Sequence, residues 1–143
     1  MKKLLPLIAV IVLVYSCGSN DRKLSDSTED DINTATTFLK AALRGDYGQA
    51  RTLMLQDSLN IQDMEAYERY YKEKMTPEEK ANYANAVIRI HEKRNIDSAT
   101  TIIHYSNSYR NKVDSIKMIK VDGKWLADLK FVFKHNTDTL FQQ

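Results

Sequence analysis

His104 is the residue best suited by type and neighbours to act as a general base. It lies in the β-branched segment Ala99 to Asn107, with Ile102 on the same strand parity and Tyr105 beside it. An imidazole there can exchange a proton with a substrate. A lone strand histidine more often serves a hydrogen bond at a surface or edge, and the chain is read as a non-enzyme. Carboxylate partners are poorly placed: Asp128 has the opposite parity to Trp125 and Leu129, Asp122 belongs to a turn, and the buried face of the strand carrying Asp114 stays open. His91, His104 and His135 are too scattered for a metal motif, and no alternating acidic run suggests a calcium loop. The glycines Gly18, Gly45, Gly48 and Gly123 are explained by tether or turns, so no phosphate loop and no cofactor are expected. Tyr67, Tyr70, Tyr71, Tyr83, Tyr105 and Tyr109 combine apolar area with a polar tip, the chemistry of a glycan or small-molecule cleft, although tyrosine also suits half-buried positions generally. The candidate pocket is Tyr67, Tyr71, His104 and Trp125.

The other reactive group is the thiol of Cys17, the only cysteine. It follows an eleven-residue apolar run, Leu4 to Val14, preceded by Lys2 and Lys3. That run is too short to span a bilayer, and Ser16 supplies the small residue expected at an export-signal cut. Val14-Tyr15-Ser16-Cys17 resembles the lipobox of bacterial lipoproteins. The resemblance implies a diacylglyceryl thioether on Cys17, cleavage before it, and a permanent membrane anchor, since two acyl chains hold where one holds only marginally. The expected location is the cell envelope, on a bacterial membrane and by expectation the outer one, with the domain outside the cytoplasm.

Removal of residues 1–16 leaves 127 of the 143 residues. The 21 basic and 19 acidic residues lose two lysines with the signal and become 19 against 19. A balanced, interspersed charge excludes the basic surface of a nucleic-acid binder. With Cys17 acylated no thiol remains for a disulfide, so packing alone must hold the fold. Residues 17–29 are the lipidated cysteine and a polar tether, with a root-mean-square span of roughly 20 Å. Residues 30–134 form the folded domain, and residues 135–143 a polar tail.

Along the domain, Ile32, Ala35, Leu39, Ala42 and Leu43 recur at helical spacing, with Thr28 and Asp31 as a capping pair. Gly45 stops this helix. Asp46 and Gln49 form a capping box for a second, carrying Ala50, Leu53 and Met54. A third helix from about Ile61 to Lys74 places Met64, Tyr67 and Tyr71 on one face. Thr76-Pro77-Glu78-Glu79 opens a fourth. Strands are expected over about Ala86 to Arg94, Ala99 to Asn107, Val113 to Val121 and Lys124 to Phe133, the last pair joined by an Asp122-Gly123 turn. In the last strand Trp125, Ala127, Leu129, Phe131 and Phe133 share the core face. The other face carries Leu126 and Val132 with Asp128 and Lys130, and the third strand is apolar on both parities, Ile116 and Met118 on one and Val113, Ile119 and Val121 on the other. A half-apolar second face gives room for a weak homodimer through the sheet.

Helices followed by an antiparallel meander define an α+β class. The segments FLKAALRGDYGQA at Phe38 to Ala50 and KMIKVDGKWLADLKF at Lys117 to Phe131 resemble the two ends of a small lipoprotein domain of unknown function with the nuclear-transport-factor-2-like cone fold. A G-D-Y/F-x-x-A corner and a V-D-G-K-W hairpin carry the likeness, which spans most of residues 30 to 134. It implies helices packed on a curved four-stranded sheet, and an extra helical stretch before the sheet departs from the pattern. The fold hosts isomerase- and dehydratase-like enzymes as well as inert binding modules. The expected role is a non-catalytic envelope domain binding a small apolar ligand or a protein partner. An isomerase- or hydrolase-like enzyme and a structural accessory subunit are the alternatives.

Overall fold

Helix α1, Asp30–Leu43, forms where small and large apolar residues alternate at helical spacing. Its first turn carries Asp30 and Asp31 and its last Lys40, each sign matched to the helix dipole. Gly45, at φ +79°, ends it. Gly45 N–H donates to Ala42 O at 3.1 Å and Asp46 N–H to Ala41 O at 2.9 Å, the paired bonds of a Schellman stop. Asp46 then caps α2, Tyr47–Thr52, by accepting from Gln49 N–H at 3.0 Å. Helix α3, Ser58–Glu73, is capped by Asp57, and α4, Pro77–Ala84, by the reciprocal Thr76–Glu79 box. The structure, a computed structural model, describes residues 30–131. Cys17, Thr28, the tether, Phe133 and the tail from His135 lie outside the described residues.

The sheet is β1 (Ile88–Asp97), β2 (Thr100–Asn107), β3 (Val113–Val121) and β4 (Lys124–Asp128), antiparallel and in chain order. Helix α1 crosses one face and touches all four strands. On that inner face Ile103, Ile116, Met118 and Ala127 are fully buried against Phe38, Leu39, Met54 and Met64. Each of the larger side chains contributes roughly 1.5–3 kcal/mol by leaving water. The opposite face carries His104, Ser115, Lys117 and Ile119, with Ile102 buried among them.

Several elements differ from expectation. Helix α2 ends at Thr52, and Met54 sits instead in a parallel bridge to Ala127. Leu55 N–H donates to Ala127 O at 3.0 Å and Ala127 N–H to Leu53 O at 2.9 Å, so this stretch lines the free edge of β4. Helix α3 begins three residues early because Asp57 accepts from Leu59 and Asn60 N–H, both at 3.2 Å. Strand β4 stops at Asp128, and residues 129–131 make a helical turn, so the face drawn through Leu129 and Phe131 is not a strand face. The cause is a tertiary contact: Leu129 N–H donates to Asn60 Oδ1 at 2.6 Å, which takes it out of the ladder.

Strand β1 runs longer than expected and is bulged. Ile90 pairs Tyr105 and Glu92 pairs His104, leaving His91 as an extra residue. The bulge shifts parity, so Lys93, opposite Ile103, joins the inner face.

Candidate functional site at the tyrosine end

The seven tyrosines from Tyr47 onward converge on one end of the inner face, although they come from five parts of the chain. Helix α2 supplies Tyr47, α3 Tyr67, Tyr70 and Tyr71, α4 Tyr83, β2 Tyr105, and the β2–β3 loop Tyr109. The Tyr47 ring meets Tyr67 at 6.1 Å and Tyr71 at 5.6 Å, both edge to face. Tyr83 meets Tyr109 the same way at 4.8 Å. Tyr67 joins the two groups, sensing Tyr83, Tyr70 and Tyr71 electrostatically. The helical spacing of Tyr67 and Tyr71 puts both on the face of α3 that packs on the core.

Burial raises the phenol pKa of Tyr47, Tyr67 and Tyr105 well above the ordinary value of 10.0, with neighbouring tyrosines adding to it. For Tyr105 the second cause is Asp114, its cross-strand partner. These phenols therefore stay protonated at neutral pH. Tyr47 Oη is buried without a hydrogen-bond partner among the described residues.

Asp114 therefore lies on the inner face, in line with Ile116 and Met118, beside Tyr105. Apolar residues on both parities of β3 had hidden this assignment. Arg110 also went unmarked, because a single arginine in a loop carries no pattern. Its N–H donates to Asn107 Oδ1 at 2.9 Å, and its Nη1 to Tyr83 Oη at 3.4 Å. Contact with Tyr83, and the proximity of Tyr70 and Tyr109, raise its pKa.

The residues expected to form one pocket do not meet. Tyr67 and Tyr71 lie at the tyrosine end. Trp125 is half-buried on the inner face opposite Lys120, whose ammonium sits 5.6 Å from the ring. Lys120 lies six positions along β3 from Asp114, so Trp125 is roughly 20 Å along the sheet. His104 faces the other side, with Nδ1 2.7 Å from Ser115 Oγ. His91 Nε2 likewise lies 2.8 Å from Ser106 Oγ. These histidines share a polar surface away from the tyrosines.

A second polar cluster surrounds Asn60, which is fully buried. Its Nδ2 donates to Asp57 Oδ2 at 2.6 Å and to Asp128 Oδ1 at 3.4 Å. Asp128 thus has the outward parity expected of it but is buried, fastened to the start of α3. A hydrogen bond from Lys130 holds the Asp57 carboxyl down to about 2, while burial and the charges of Asp57 and Asp128 raise Asp63. Among the described residues no three His, Cys, Asp or Glu side chains are grouped to hold a metal. An open groove of about 430 Å³ lies over Arg51, Glu65, Glu68, Arg69, Lys72 and Glu73. Glu68 there pairs with both Arg51 and Lys72, which makes this groove a solvated charged surface.

Helices followed by a four-stranded antiparallel sheet, with this inner face, define an NTF-2-like α+β fold. The chain is similar to the crystal structure of an NTF-2-like protein of unknown function from Shewanella oneidensis MR-1, with a TM-score of 0.52 and 14% identity. That likeness covers 70% of this chain and 93% of the other. No protein-family model matches the chain, and neither does any curated protein. No helix among the described residues is long and apolar enough to cross a membrane.

Proposed function

We propose that this chain is a lipid-anchored, non-catalytic binding domain of a bacterial cell envelope, held through Cys17 and taking a small ligand at its tyrosine end. The observation that carries the binding role is the convergence of seven tyrosines from five parts of the chain on one end of the inner face. Their rings offer apolar faces, and their neutral hydroxyls offer donors that fix orientation. The anchor rests on the position of Cys17 behind its apolar run. The half-apolar outer face, where Val113 and Val121 are exposed, would serve an envelope partner or a weak homodimer.

A second reading is favoured by one observation, the pairing of Asp114 with Tyr105 on the inner face. A carboxylate beside a buried phenol is the minimum for proton abstraction with stabilisation of the resulting oxyanion. That pair would be the working centre of an isomerase-like enzyme.

Two measurements test the proposal. Metabolic labelling with a fatty acid should mark the wild type and leave Cys17→Ala an unlabelled precursor; equal labelling of both removes the anchor. Crosslinking in the native envelope through a photoreactive residue at Tyr109 should capture a small molecule that Asp114→Asn captures equally well. Turnover of that molecule by the wild type but not by Asp114→Asn would establish the enzyme instead.

A further inference from the structure

Arg110 is an exposed cation that touches the tyrosine cluster through the Tyr83 hydroxyl. Its Nη1 donates to Tyr83 Oη at 3.4 Å, Tyr70 and Tyr109 lie near, and no carboxylate pairs with it among the described residues. Its backbone is fixed by Asn107, and the next residue, Asn111, takes φ 52°, so the loop presents the guanidinium at a defined place. Around it, Tyr70 is 56% and Tyr109 41% exposed, and Val87 59%, so ring and methyl surface is left open to water beside the charge. Val87 is tied to the same loop through Ser108: Ser108 N–H donates to Val87 O and Val87 N–H to Ser108 Oγ, both at 2.9 Å. A guanidinium fork and phenol hydroxyls together make a set rich in donors, and exposed ring faces make an apolar floor.

We propose that Arg110 selects, at the tyrosine end, a small acid that carries a flat apolar ring. Its carboxylate takes the guanidinium fork, and its ring packs edge to face against Tyr109 or Tyr70. This rests on the reading of the tyrosine end as a ligand site, and it adds the ligand's charge and shape. The carboxylate supplies the charged acceptor that Arg110 does not have among the described residues, and a neutral ring of the same size does not.

The test uses the full chain in detergent with tyrosine rings isotopically labelled, and two probes of equal size, naphthoate and naphthamide. Naphthoate should bind about tenfold more tightly than naphthamide, the scale of one charge-assisted hydrogen-bond pair at a partly exposed site. It should move the signals of Tyr70, Tyr83 and Tyr109. In Arg110→Gln both probes should bind as naphthamide does, and Arg110→Lys should recover only part of the preference because it keeps the charge and loses the fork. Arg110 is exposed, so unchanged signals from the buried Tyr47 certify that each variant is folded. Equal binding of both probes with those same tyrosines shifting overturns acid selection and leaves the ligand site standing. A naphthoate preference that survives Arg110→Gln overturns the role of Arg110. No shift at these tyrosines with either probe removes both the selection and the site.

Discussion

Lys93 Nζ reaches both oxygens of Asp31, 2.8 Å from Oδ1 and 2.7 Å from Oδ2, and so ties the first turn of α1 to the middle of β1. Both partners are out of water: Asp31 is 1% and Lys93 14% exposed. A buried ion pair roughly balances its own desolvation, whereas one member left alone does not.

Lys93→Met should therefore cost about 3–5 kcal/mol, because it strands a buried carboxylate. Asp31→Leu combined with Lys93→Met should restore most of that loss. Urea unfolding of the wild type, both single variants and the double variant checks this. Additive losses would show that the two residues act independently.

Gly45 is irreplaceable for two reasons that can be measured apart. Its φ of +79° costs a residue with a Cβ about 1–2 kcal/mol. A Cβ there would also meet the Tyr71 ring at 2.7–2.9 Å. Gly45→Ala should lose more than the conformational cost alone in the wild-type background, and only that cost when Tyr71 is replaced by alanine. Denaturation midpoints of the two pairs give the comparison.

Asn60 joins α3 to the end of β4 through Leu129 N–H and Asp128. Asn60→Leu should cost about 1–3 kcal/mol for each buried group left without a partner. Asn60→Asp should do no better at neutral pH, since it loses the donor that faces Asp57 and Asp128. Hydrogen exchange should locate the loosening at Leu129 and leave the amides of β2 protected.

The tyrosine end predicts an alkaline transition. Tyr47 and Tyr105 have folded-state pKa values raised above the 10.0 of the unfolded chain, chiefly by burial. The unfolded state gives up these protons first, so the stability they confer is complete below pH 10 and falls as pH rises above it. Phenolate absorbance from the buried Tyr47 and Tyr105 should appear only as circular dichroism reports unfolding. Smooth titration of every tyrosine with the fold intact would contradict this.

Helix order, strand order and the inward side of Trp125 and Ala127 were legible because they rest on local spacing and on turns. Thr76-Pro77, Gly45-Asp46 and Asp122-Gly123 each impose a backbone geometry whatever lies around them. The end of β4 was not legible. It depends on Asn60, sixty-nine residues from Leu129, taking a backbone N–H out of the ladder. The inward turn of Lys93 was hidden for a similar reason: a bulge at His91 changes parity, and nothing in Ile88-Arg89-Ile90-His91 announces it. Of the site, Tyr67 and Tyr71 could be paired by their spacing of four. Their meeting with Tyr47, Tyr105 and Arg110 is a matter of tertiary contact.

Strand β1 lies at a sheet margin, and among the described residues no strand pairs with its outer side. Ten residues of open ladder would ordinarily invite other chains to stack on it and grow into fibrils. Two register shifts interrupt that ladder, and Arg89, Glu92, Arg94 and Asp97 crowd it with charge. The same kink that turns Lys93 toward Asp31 thus also spoils β1 as a template for edge-to-edge stacking.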